Sequence, residues 1–108
     1  MYPVGYTYNM KYSIESTDHY DKWFKKLKDA SSRIKILARL SRVENGNFGD
    51  YKRLGENLYE LRLFFGPGFR IYYTIKECKV VLLLVGGDKS SQQKDINKAD
   101  ALLKQLEE

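Results

Sequence analysis

Two arginines, Arg62 and Arg70, fall on neighbouring predicted strands with the same facing, and Lys89 follows a third strand beyond a glycine-rich turn. A guanidinium offers a planar fork of donors and keeps its charge, so two converging on one phosphate would stabilise developing negative charge. Glu60 and Tyr72 share that face, adding a carboxylate and a phenol. An ionic and phenolic face on a rigid sheet suits polyanion chemistry better than it suits stability. The plainer reading is that Arg62 and Arg70 form surface salt bridges with Glu60 or other carboxylates.

The facing follows from alternation. Between Leu58 and Phe65, Tyr59, Leu61, Leu63 and Phe65 point one way, and Glu60 and Arg62 the other. After the turn Gly66-Pro67-Gly68, Phe69, Ile71, Tyr73 and Ile75 oppose Arg70, Tyr72 and Thr74. The pattern predicts one buried face and one presented to solvent.

At 108 residues, with 43% hydrophobic and 31% charged residues, the chain reads as a single globular domain over 1–108. Its longest apolar run, Val80 to Val85, is too short to cross a bilayer, so no membrane role is expected. No signal-peptide pattern opens the chain, and one cysteine, Cys78, fits a reducing compartment; a cytoplasmic location is expected. One Cys and one His make zinc improbable, and no metal or cofactor is expected. The net charge of +5 is uneven: residues 20–53 hold ten Lys or Arg against four Asp or Glu. A basic half favours a polyanionic partner, nucleic acid or ribosome; a solvated helical face is the other reading.

Tyr8, Met10, Tyr12 and Ile14 alternate with polar residues as an opening strand, and Ser16-Thr17-Asp18 supplies helix-capping chemistry. Tyr20, Trp23, Phe24 and Leu27 then form one face of a helix. A second helix over 31–45 stops at Gly46, with an apolar arc of Ile34, Ile36, Leu37, Leu40 and Val43 opposite a basic stripe of Lys35, Arg39 and Arg42. Asn47 to Asn57 reads as a loop. Three strands follow, the last (Val80 to Val85) apolar on both faces like a central strand. Gly86 to Ser91 reads as a turn, and Ser90 to Gln93 has capping-box spacing. The closing helix buries Ile96, Ala99, Leu103 and Leu106. The predicted fold is α+β in the order β-α-α-β-β-β-α, a mostly antiparallel sheet with paired helices on its apolar face and a C-terminal helix.

Several segments carry a family resemblance: Trp23 with Leu27, Ala38-Arg39-Leu40-Ser41-Arg42, Gly46-Asn47-Phe48-Gly49-Asp50 and Tyr59-Glu60-Leu61-Arg62-Leu63. It continues through Gly66-Pro67-Gly68-Phe69-Arg70-Ile71-Tyr72-Tyr73 and Leu82-Leu83-Leu84 into Gly86-Gly87-Asp88-Lys89-Ser90-Ser91-Gln92. In this order the chain resembles toxins of the RelE/ParE superfamily, in the addiction-module killer (HigB-like) subgroup. The resemblance implies a type II toxin held in check by a cognate antitoxin, a small helix-turn-helix protein. The RelE branch cleaves mRNA on the ribosome; the ParE branch poisons DNA gyrase. A catalytically inactive module that only binds the antitoxin is the third reading.

RNA cleavage through the 2′-OH requires removal of its proton, stabilisation of the phosphate and protonation of the 5′-oxygen. By resemblance, Arg70 matches the arginine after the Gly-aromatic pair of RelE toxins. Arg62 matches a basic residue on the preceding strand, and Lys89 falls near a third basic position. Lys35, Arg39 and Arg42 would anchor on ribosomal RNA, with Lys52 and Arg53 holding the RNA backbone or phosphate. The departures are Glu60, where RelE toxins carry lysine and where a carboxylate would either serve as base or mark a weakened nuclease, and a closing helix without His or Tyr. Tyr72 is a candidate for stacking or proton transfer, whereas His19 reads as a surface residue.

Overall fold

The computed structural model describes residues 11–107. Their order is β1 (Ser13–Ser16), α1 (Asp18–Lys26), α2 (Ala30–Glu44), β2 (Tyr51–Arg53), β3 (Tyr59–Arg62), β4 (Phe69–Lys76), β5 (Val80–Asp88) and α3 (Gln92–Leu106). The five strands form one sheet in the order β1-β5-β4-β3-β2, with β1 parallel to β5 and every other pair antiparallel. This is the expected α+β architecture with one additional strand. The Tyr8 to Met10 part of the predicted opening strand lies outside the described residues.

The caps explain where the helices begin. The Thr17 hydroxyl oxygen accepts from the Tyr20 N–H at 3.1 Å and donates to the Leu84 carbonyl at 2.6 Å, tying α1 to β5. Asp29 caps α2 by accepting from the Ser31 N–H and the Ser32 hydroxyl. At the far end Gly46, at φ +89°, supplies the left-handed turn that ends α2.

Three layers result. On one face of the sheet, α1 and α2 bury Tyr20, Ile36, Leu40 and Val43 against Leu61, Leu63, Phe69, Ile71, Tyr73, Val81 and Leu83. On the other, α3 brings Ala99, Ile96, Leu102 and Leu103 onto Leu58, Tyr72, Leu82, Leu84 and Val85. A bulge in β5 aligns its two halves: Tyr72 pairs with Val85 and Tyr73 with Leu83, so Leu84 is the extra residue.

The second layer of cover corrects the expectation of an open polar face. Glu60, Arg70, Tyr72 and Thr74 are all buried, because α3 lies across the row they occupy. Four smaller corrections accompany it. Residues 51–53, read as loop, form the edge strand β2; residues 86–88, read as a turn, continue β5 opposite Phe69–Ile71. The capping box sits at Asp88 and Ser91 instead of Ser90 and Gln93. Ile34 and Leu37 are exposed, as is Leu106, so the buried arc of α2 is Ser32, Ile36, Leu40 and Val43.

Candidate phosphate-binding site

The register fixes what meets what. Arg62 lies directly across from Arg70, which in turn faces Gly87 on β5. One row along, Lys52, Glu60, Tyr72 and Val85 are successive cross-strand neighbours. Side chains in these two rows share the α3 side of the sheet. The edge strand places Lys52, exposed, at the rim of that row, with Glu60 and Tyr72 further in.

Arg62, Arg70 and Lys89 do come together at one end of the sheet, but they are held differently. The Arg62 Nη2 bonds the Asp50 Oδ1 at 3.2 Å, and its guanidinium carbon lies 5.8 Å from the centre of the exposed Phe64 ring. Both ionic side chains are about one-third exposed, so solvent screens that pair. Arg70 is only 7% exposed: its Nη1 donates to the Gly68 carbonyl at 3.4 Å, and its Nε lies 3.8 Å from the Glu60 Oε2. Lys89 is exposed in the 3-10 turn before α3, and a Cβ built on Gly68 would lie 3.5 Å from the Lys89 Cβ and 3.7 Å from the Arg70 Nη1. The Gly66-Pro67-Gly68 turn thus brings Lys89 and Arg70 to the same corner.

Glu60 and Tyr72 lie deeper. Neither reaches the surface: Glu60 is 1% exposed and Tyr72 0%. Burial, and then the Glu60 carboxylate, raise the Tyr72 phenol above its ordinary pKa, which keeps it protonated. Gln92, in the first turn of α3, donates its Nε2–H to the Glu60 Oε2 at 2.7 Å.

The basic stripe of α2 divides by role. Arg39 bonds the backbone carbonyls of Arg62, Phe48 and Asp50 at 2.8–2.9 Å, folding the loop after α2 onto β3. Burial, with the nearby Arg42 charge, lowers its pKa from the ordinary arginine value. Lys35 and Arg42 stay exposed and line, with Ala38, Leu63, Phe64 and Phe65, a groove of about 240 Å³ beside Arg39. Lys35 Nζ sits 5.2 Å from the Phe65 ring centre. Arg53 is spent locally, donating to the Gly55 and Glu56 carbonyls, while Lys52 has no hydrogen-bond or ion-pair partner among the described residues.

Asp50 and Gln92 are the partners that sequence reasoning did not single out. Asp50 closes a Gly-Asn-Phe-Gly-Asp segment, and its carboxylate was visible as a possible arginine partner without a strand to place it. Gln92 carries no sequence signal beyond its place in the segment Gly86 to Gln92 and within the Ser90 to Gln93 capping stretch.

The model of the phage-derived Gp49-like family matches residues 22–104. The chain belongs to that family. An uncharacterized protein of Haemophilus influenzae is 42% identical over 97 residues, covering 90% of this chain and 98% of its own. Among solved structures, a double arginine-to-alanine mutant of the E. coli toxin RelE in the free state matches with a TM-score of 0.69 at 21% identity, over 85% of this chain and 97% of its own. A chain of the intact E. coli RelBE toxin–antitoxin complex matches with a TM-score of 0.60 at 24% identity, over 71% of this chain and 95% of its own. The Gp49-like chain therefore has the RelE fold. Among its described residues no helix is long and apolar enough to cross a membrane.

Proposed function

We propose that the protein is the toxin of a type II toxin–antitoxin pair and cleaves mRNA on the ribosome through attack of the 2′-OH on the adjacent phosphate. The observation that carries this reading is the cross-strand pair Arg62–Arg70 with Lys89 at the same corner, on a RelE fold. In the reaction the 2′-OH proton passes to solvent water, the two guanidinium groups stabilise the charge that builds on the phosphate oxygens, and Lys89, the exposed cation, protonates the departing 5′-oxygen. Lys52 at the rim and Lys35 with Arg42 in the α2 groove hold the RNA backbone. Glu60 and Tyr72 take no direct part in this scheme, since α3 covers both.

The partner that neutralises such a toxin is an antitoxin. Exposed Ile34 and Leu37 on α2, with Phe64 beside the Lys35–Arg42 groove, fit an acidic amphipathic segment: its apolar side covers the hydrophobic residues and its carboxylates meet the lysine and arginine. The deciding assay is cleavage of mRNA on translating ribosomes by the purified protein. Codon-positioned cuts, lost in Arg70→Ala, support the reading. Intact mRNA together with inhibition of gyrase supercoiling would replace it with a gyrase poison of the ParE kind.

A further inference from the structure

We propose that Glu60 is a positioning residue that aims the Arg70 guanidinium and ties its pose to the first turn of α3. The inference rests on the functional reading above, because it assigns to Glu60 a task in that same site.

Glu60 and Arg70 are diagonal neighbours on adjacent strands, within reach of long side chains on one face. A single carboxylate oxygen, Oε2, faces both groups: the Gln92 amide at 2.7 Å and the Arg70 Nε at 3.8 Å. Arg70 is thereby bracketed, its Nε side toward Glu60 and its Nη1 on the Gly68 carbonyl. The Arg70 Nε is buried without a hydrogen-bond partner, while the Tyr72 phenol in the same row feels the Glu60 carboxylate through its raised pKa. A carboxylate buried this far costs several kcal/mol unless charge and donors compensate it. A merely structural row at this position would be better filled by an apolar side chain, as Val85 fills it on β5. What Glu60 adds is a fixed negative charge beneath a cation, with an amide from α3 setting its rotamer. Enzymes hold reacting groups by such supporting contacts, and loosening them costs rate without removing the group.

A general base would have to reach the 2′-OH, whereas Glu60 faces the interior under α3. The two roles give different results. For a positioning residue, Glu60→Gln lowers the single-turnover cleavage rate about 10- to 100-fold, the effect of a lost charge-assisted contact, and leaves the shape of the pH profile unchanged. Gln92→Ala lowers it in the same direction by a smaller factor. Glu60→Gln combined with Arg70→Ala is no slower than Arg70→Ala alone, since there is nothing left to aim.

The second measurement needs no activity. In the full-length free protein, the Arg70 Nε–H signal in a 15N-selective NMR spectrum shifts and exchanges faster with solvent in Glu60→Gln and in Gln92→Ala. An Arg70 signal identical to wild type in both folded variants would overturn the proposal. So would loss of the acidic limb of the pH profile in Glu60→Gln, which would make Glu60 the base. Wild-type protein that cuts no mRNA removes the functional reading, while the NMR comparison still decides whether Glu60 orders Arg70.

Discussion

The two faces of the sheet are built on opposite rules. Under α1 and α2 the packing is dry and aromatic: Phe48 stacks on Tyr73, Tyr59 stacks on Tyr73, and Trp23 meets Phe69 edge-on. Under α3 the same strands interleave Leu84 and Tyr72 with Glu60 and Arg70, and buried polar atoms go without partners. The first face gains stability from its packing and leaves few polar groups unmet, the Tyr20 hydroxyl among them. The second gives some of it up to hold ionic groups in place, a trade expected where chemistry is done. The face that is worse for folding is the one to read for function.

Substitutions separate the two faces. Ile71→Ala, in the dry face, should cost about 2–5 kcal/mol of unfolding free energy, measured by urea denaturation, because Ile71 is fully buried. Arg70→Ala should lower the single-turnover cleavage rate on ribosomes by about 10²–10³ while the protein still unfolds cooperatively. Growth arrest by Arg70→Ala equal to wild type would erase the contrast between the faces. Arg39→Ala tests the seam between them and should cost about 1–3 kcal/mol, read as a lowered melting temperature, since three carbonyls lose a charged donor. Lys35→Glu with Arg42→Glu should move stability by less than about 0.5 kcal/mol. The same pair should flatten the salt dependence of ribosome binding by about two counterions, measured by titration at several ionic strengths.

Much of the fold was legible because its elements bury a clean stripe. Tyr20, Trp23, Phe24 and Leu27 all pack toward the core as their spacing predicts. The arc drawn on α2 was too wide. At 100° per residue Ile34 falls about 160° from Ile36, and Leu37 about 100° from it, so both face out. The basic residues flank the true arc instead of opposing it, which is why Arg39 could turn inward. Strand β2 was missed because all of its residues are exposed, and an edge strand leaves no alternation to read. The sequence does carry a signal for the covered polar face: β5 is apolar on both sides, which requires a layer over each. For the candidate site, the residue types and their common face were readable. Their depth was not, since burial of Glu60 depends on where α3 lands.

Gly86 and Gly87 look like turn residues and are strand residues for a mechanical reason. A Cβ on Gly86 would sit 2.1 Å from the Trp23 ring on one side, and a Cβ on Gly87 would sit 1.8 Å from the Asp95 carboxylate on the other. Trp23 belongs to α1 and Asp95 to α3, so the two outer layers press on consecutive backbone units from opposite directions. The sheet there is one backbone thick, with a helix pressed against each side. Backbone and indole cannot yield at Gly86, so a saturation library selected for folded protein should return glycine alone at that codon.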